Sequence, residues 1–354
     1  MNTNDKRKKI IIFLTFVCGL GAATSVNYLG KDAAVAMTAL TLNSMRLLVG
    51  AVILALIGIA LGLRLRPSPR HLWRYALIGP LNMALPQGLL FMGLRSYGAR
   101  PIDAAITEAA IPGLILVYLF ASQRRLTWGA LTAATAVLLG LAAFLGFFNG
   151  MAQSPTAMTA GFWFLIVSAV FTSVGLICDD RMTWPTEPAA MDTWHCSMVH
   201  KTQVAKSLRK TLFGSLFSGV LTLMFIPVLN PLLGENAVQV LAVPFSAWPG
   251  VVALALVGTC LTWFSIFLLI QMQQMILIVA LVAGIPVVSA AYNILSGRSD
   301  HALQGYEWFG GALLIVSLFA LIYAQLMRPA QAQASLTAVV ETKSSTHSLQ
   351  PLVE

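Results

Sequence analysis

"ITEAAIPGLILVYLF" (residues 106–120) is almost wholly apolar, yet it carries Glu108 near its start and Pro112 four positions later. With its neighbours it forms an apolar run over 102–121, and about 20 such residues in a helix cross a ~30 Å hydrocarbon core. Comparable runs fall at 10–30, 38–62, 73–97, 127–148, 157–178, 211–229, 246–270, 275–296 and 306–327. They are continuous rather than alternating and far longer than the ~10 residues of a barrel strand, which excludes a membrane β-barrel. The composition agrees: 58% of the 354 residues are hydrophobic and 10% are charged, against about 25% charged in soluble domains. The expected fold class is all-α, a polytopic membrane protein of ten transmembrane helices.

The basic start, "KRKKIIIFLTFVCGLGAA" (6–23), has the pattern of a signal peptide. The apolar run continues to Tyr28, however, and nine more follow it, so it is read as the first span. Assigning alternate loops to the inside, beginning at the N-terminus, places 17 of the 22 lysines and arginines there. The opposite side holds Lys31, Arg95, Arg100 and Arg298, and Arg46 lies within a span. By the positive-inside rule both termini are cytoplasmic, and the expected location is a bacterial inner membrane. The net charge of +9 is then a set of anchors for anionic lipid at cytoplasmic helix ends. The bilayer is the partner this charge implies, and nucleic acid is not. Cys18, Cys178, Cys196 and Cys260 imply no disulfide framework. The tail, 329–354, mixes small and polar residues without a period and is read as disordered.

Ten spans divide at the uncharged "FFNGMAQSPT" (147–156) into a first half, 1–150, and a second, 151–328. An odd number of spans per half makes the second enter the membrane from the opposite side. Homologous halves would form an inverted repeat, as in many secondary transporters. "EAAIPG" (108–113) in the fourth span is echoed by "VAGIPV" (282–287) in the ninth, one repeat later.

With these features the chain resembles the drug/metabolite transporter superfamily, specifically its ten-helix EamA-type members, over roughly residues 9–328. "TLNSMRLLVGAVILAL" (41–56) is similar to the family's second-span arginine, which falls on Arg46. "LLFMGLRSYGARPIDAA" (89–105) resembles its third helix leading at once into the fourth. Pro112 and Pro286 match its mid-helix prolines, and Gly129 with Gly310 and Gly311 its glycine-rich fifth and tenth spans. The sequence departs from the family at "FASQRR" (120–125) and "ILSGRSD" (294–300), where a glutamate is frequent, and in its longer loop at 179–205. The resemblance implies secondary transport, with efflux of amino acids or related metabolites as the leading activity. It also implies a cavity formed chiefly by the first, third, fourth, sixth, eighth and ninth helices.

Arg46 and Glu108 are the two charges well inside spans, each costing about 2.5–3.5 kcal/mol at a helix centre, so neither is expected to face lipid. At 1.5 Å per residue Arg46 lies ~24 Å from the cytoplasmic end of its span and Glu108 ~21 Å. Their depths permit an ion pair between the second and fourth spans. The other reading has Glu108 at a central cavity, taking up a proton or meeting a cationic substrate group. Asp103, at the start of the same helix, is explained by the helix N-terminus. Pro112 leaves the carbonyl of Glu108 without its helical donor, and Pro286 does the same to Val282. Such helix breaks are tolerated where protein or a wet cavity satisfies them, and a simple packing kink is the alternative. The third span, "GPLNMALPQGLLFMG" (79–93), adds Asn82 and Gln87, which bind substrate or bond neighbouring helices. Trp163, Trp263, Tyr292 and Asn293 complete the candidate pathway, although Trp and Tyr also populate interfacial belts.

"HCSMVH" (195–200) gathers His195, Cys196, Met198 and His200 in the cytoplasmic loop. Its spacing matches no structural zinc pattern, so the loop is read as a polar connector with no metal. No phosphate loop, HExxH or GxSxG is present, so neither an enzyme nor a cofactor is implied. The expectation is a secondary transporter of a small-molecule substrate working by alternating access, proton-coupled or exchanging. The alternatives are a nucleotide-sugar, sugar-phosphate or lipid-linked carrier, a scaffold or sensor, and an unrecognised membrane enzyme. A homodimer is left open.

Overall fold

Inside a bilayer there is no water to bond backbone amides and carbonyls, so each apolar run satisfies them within a helix. The computed structural model describes residues 3–34, 37–63, 65–95, 104, 108, 110–122, 128–144, 160–182, 184, 198–232, 243–296 and 305–326. Over these the chain is helical, without a strand. The segments are α1 (Thr3–Ala34), α2 (Ala39–Ala60), α3 (Pro69–Arg95), α4 (Ala110–Ala121) and α5 (Trp128–Phe144). They continue as α6 (Ala160–Arg181), α7 (Met198–Leu232), α8 (Phe245–Gln271), α9 (Met275–Leu295) and α10 (Gly305–Leu326). Among the described residues six helices, α1, α2, α3, α6, α7 and α8, are long and apolar enough to cross a membrane. Shorter apolar stretches occupy α5, α9 and α10.

The surface carries many large apolar side chains, and a set of polar and charged side chains is buried within a largely apolar interior. On α2, Val52, Leu56 and Ile59 stand exposed at helical spacing; on α6, Trp163, Val167, Val170 and Val174 do the same. Lipid covers such stripes without cost. Asn27, Asn43, Arg46, Asn82, Asp179 and Lys210 are instead buried among the helices. At the centre lies α9, buried on every side from Met275 to Ile285, as expected of a helix that is apolar all round. It packs against α1, α4, α5, α8 and α10. Pro286 lies inside this continuous helix and does not end it.

The departures from α geometry are in α3 and α8, and the two share one construction. Each span is 27 residues long. Each opens with a 3₁₀ turn (Pro69–His71; Phe245–Ala247) followed by a short α segment (Leu72–Gly79; Trp248–Leu254). A π segment comes next (Pro80–Ala84; Ala255–Trp263), and an α segment ends the span (Leu85–Arg95; Phe264–Gln271). In α3 the cause is local. Pro80 has no amide to donate, and its carbonyl accepts from Leu85, five residues on. In α8 the Thr262 hydroxyl donates to the carbonyl of Val257, also five back, at 2.9 Å.

Two helix ends are closed by the same hydrogen-bond pair. After α2, Gly62 takes φ 64°, its amide bonding Ile59 and that of Leu63 bonding Gly58. After α8, Gln273 takes φ 58°, its amide bonding Ile270 and that of Gln274 bonding Leu269. This is a left-handed C-terminal cap, which glycine adopts freely and glutamine at a cost. Gln273→Gly is expected to stabilise the protein by about 1 kcal/mol, seen as a higher thermal unfolding midpoint in detergent. An unchanged or lower midpoint would count against strain at this turn.

Helix crossings rest on small residues, as expected where lipid supplies no hydrophobic drive. A Cβ placed on Gly140 of α5 would stand 2.8 Å from the Leu314 amide of α10. One on Gly79 of α3 would stand 2.5 Å from the Gly214 carbonyl oxygen of α7.

The seventh helix differs from the expected 211–229. It is helical from Met198 to Leu232, so residues 198–205, expected to be loop, belong to α7, as 179–181 belong to α6; residues 183 and 185–197 lie outside the described residues. Arg209 and Lys210 were counted as lipid anchors, and both are buried. The reason is a partner, since Lys210 forms an ion pair with Asp179 of α6. The junction at 147–156, Asp103, His195, Cys196 and the tail at 329–354 lie outside the described residues.

Candidate functional site

Asn43 and Arg46 sit one turn apart on α2, so both point to the same side. That side meets α3 and α8 at their π segments. Asn43 Nδ2 donates to the carbonyl of Ala84, the last π residue of α3, at 3.1 Å. Its Oδ1 accepts from Arg46 Nε, also at 3.1 Å. The guanidinium carbon lies 5.0 Å from the centroid of the Phe91 ring of α3, within cation–π range. On the other side, a Cβ on Gly258 would stand 2.9 Å from Arg46 Nη1, so the bare backbone of the α8 π segment makes room for the head group. Arg46 is 0% exposed, and among the described residues its Nη1 and Nη2 have no hydrogen-bond partner.

Glu108 stands elsewhere. Its Oε2 accepts from Asn27 Nδ2 of α1 at 3.4 Å, and among the described residues no ion pair joins it to Arg46. The similar depths read from the sequence were insufficient for contact, because depth fixes position along a helix and not the direction a side chain faces. Asn27 is itself buried, with Oδ1 unpartnered among the described residues. The next residue, Tyr28, donates its hydroxyl to the Ser289 carbonyl of α9 at 3.0 Å and packs on Tyr292 with ring centroids 4.8 Å apart.

The other candidates separate. Asn82 lies in the α3 π segment, where its Nδ2 donates to the Ile78 carbonyl at 3.1 Å. Its Oδ1 abuts Gly175 of α6, where a Cβ would stand 2.5 Å away, so it serves the α3–α6 crossing. Gln87 is half-buried with a buried Oε1 unpartnered among the described residues. Trp263 is buried against Phe267 in α8. Trp163 belongs to the exposed stripe of α6 with Val167, Val170 and Val174. Tyr292 is exposed on one side and stacked on the other. The side chain of Asn293 lies outside the described residues, and Pro112 is buried within α4.

A second buried polar cluster, unnoticed in the sequence, lies where the end of α6 meets α7. Asp179 pairs with Lys210 and accepts the Trp184 indole N–H at 2.9 Å. The Lys210 ammonium lies 4.5 Å from the Trp184 ring centroid and 4.8 Å from that of Phe267. Lys206 donates to the Trp184 carbonyl at 3.5 Å. Beside it, Tyr118 of α4 donates to Asp180 at 2.7 Å and carries the Arg181 guanidinium over its ring at 5.0 Å. The signal available was an Asp-Asp pair ending one span and a lysine just before another. Among the described residues no cluster of three or more His, Cys, Asp or Glu side chains could hold a metal.

Helix length, composition and the apolar exterior define the class: an all-helical, multi-pass membrane protein. No family model and no curated protein matches the sequence. Solved structures do share its fold. One, described only as "Crystal structure of protein", superposes with a TM-score of 0.60 over 91% of this chain and 100% of its own, at 18% identity. At that identity the likeness is one of fold.

Proposed function

We propose that the protein is a secondary transporter of small metabolites such as amino acids, working by alternating access in a bacterial inner membrane. The ten helical segments act as two inverted halves of five, with both termini cytoplasmic. The observation that carries this reading is the matched construction of α3 and α8, the third segment of each half. Each has 3₁₀, α, π and α pieces in the same order over 27 residues. Non-helical backbone at membrane depth is tolerated where protein or a water-lined path satisfies it, and π segments occur often at functional sites. Arg46 links the two: it bonds Asn43, which holds the end of one π segment, and rests on Gly258 of the other. An intramembrane charge so placed is a functional group by default. Rocking of the halves would move α8 relative to α2 and α3 and expose the Arg46 and Glu108 regions to each side in turn.

Glu108 suits proton coupling, since it lies at membrane depth beside a neutral amide rather than a cation. The test is counterflow in proteoliposomes with pooled amino acids, nucleosides and sugars, with and without a pH gradient. Glu108→Gln is expected to reduce gradient-driven accumulation to background while exchange continues. Unchanged accumulation would remove Glu108 from coupling, and absence of flux for every pool would remove the transporter reading.

A further inference from the structure

A buried guanidinium in a membrane protein needs a counter-charge or a full set of acceptors, because the desolvation of an uncompensated ion costs several kcal/mol. The carboxylates described within the helical core are engaged elsewhere: buried Asp179 with Lys210, and half-buried Asp180 and Glu108 with Tyr118 and Asn27. Arg46 has one acceptor, Asn43, and that bond uses only Nε. Its head is nonetheless held in place. The ε end is tied through Asn43 to Ala84, one face lies on Phe91, and Gly258 borders Nη1. Two adjacent nitrogens with four N–H donors are thus presented in a fixed plane, with no partner among the described residues.

We infer that Arg46 binds the carboxylate of a monoanionic substrate through Nη1 and Nη2, at the place where α2 meets the π segments of α3 and α8. The assignment of this ligand as transported cargo rests on the transporter reading; the binding itself does not. The chemistry selects the class. A planar two-oxygen anion matches the guanidinium fork, forming two parallel charge-assisted hydrogen bonds. One cation neutralises one negative charge, so a carboxylate leaves the pair neutral whereas a phosphate dianion brings an excess charge into a low-dielectric interior. Gly258 is the specificity element, since any side chain there enters the space beside Nη1. Its neighbour Thr259, buried with its hydroxyl unpartnered among the described residues, belongs to the same π segment.

The test is thermal stabilisation of the purified full chain in detergent, where no compartment and no flux are needed. The probes are propionate, benzoate and N-acetyl-L-alanine, each a monoanion compared with its own neutral amide, and sodium chloride as the simple anion. At least one carboxylate is expected to raise the unfolding midpoint saturably, with its amide roughly 10- to 100-fold weaker. Arg46→Gln should remove the effect, and Arg46→Lys should restore part of it, since a point charge lacks the fork. Gly258→Ala guards against misfolding as an explanation. Its added methyl meets side-chain atoms of Arg46, Val26 and Leu254 and no backbone, so a small displacement of the guanidinium relieves it, and the protein should remain folded and bind the carboxylate more weakly. Equal stabilisation by carboxylate and amide, by chloride, or in Arg46→Gln would overturn the proposal, as would the absence of stabilisation by any of the carboxylates. Carboxylate binding in detergent without flux in proteoliposomes would uphold this site and discard the transporter reading. Flux that persists unchanged in Arg46→Gln would do the reverse.

Discussion

Lys210→Met is expected to destabilise the protein by about 3–5 kcal/mol, because it strands the Asp179 carboxylate in a dry interior. The two groups are buried to within 1–2% of full exclusion from solvent, so neither has water to fall back on. The Trp184 indole N–H would remain as a donor to Asp179, which offsets part of the cost but supplies no charge. Lys210 also lies over the rings of Trp184 and Phe267, so its removal loosens the junction of α6, α7 and α8 as well. The double variant Asp179→Asn with Lys210→Met is expected to recover most of the loss, since a neutral pair carries no desolvation penalty. Chemical or thermal unfolding in detergent reads both. A single variant as stable as the parent, or a double variant worse than the sum of the two singles, would refute the pair as a buried, coupled unit.

The second large effect is directional. Gly79→Ala is expected to cost about 1–3 kcal/mol or more, because its new Cβ would stand 2.5 Å from the carbonyl oxygen and 2.6 Å from the Cα of Gly214. Both atoms are backbone, so relief requires α3 and α7 to separate. Gly214→Ala, at the same crossing, is expected to be nearly neutral. Its Cβ would meet the Gly79 Cα at 3.4 Å and Met83 at 3.6 Å, ordinary contacts. Gly113, with open space around its Cβ position, is the control. Equal destabilisation by the two alanines would refute the asymmetric approach of the helices. The effect extends to the candidate site, because Pro80 and the α3 π segment begin one residue after Gly79.

How far these features could be read beforehand depends on what kind of physics each reflects. The helical membrane class was legible from composition and run length, and six candidate spans follow the expected runs. The start of the seventh helix was not. Lys206, Arg209 and Lys210 look like loop or interface residues in any window that averages hydropathy, and the burial of Lys210 is made tolerable by its partner Asp179, 31 positions away. Proline gave a mixed signal. Pro80 does coincide with a change of helix type, but Pro286 sits within an unbroken helix, and the α8 π segment contains no proline at all. Proline removes a donor, whereas the register of a helix is set by everything packed on it.

Arg46 and Glu108 show the same division most sharply. The sequence by itself determined that this is a membrane protein of apolar helices, that two charges lie deep within it, and that they lie at similar depth. Those are properties of one helix at a time, set by local composition and a rise of 1.5 Å per residue. Only the tertiary structure decided that Glu108 meets Asn27, that Arg46 turns instead to Asn43, Phe91 and Gly258, and that its two terminal nitrogens are left without a partner among the described residues. The rotation of each helix about its own axis and its distance from its neighbours are decided by side-chain packing at crossings such as Gly79–Gly214, and no single segment carries that information.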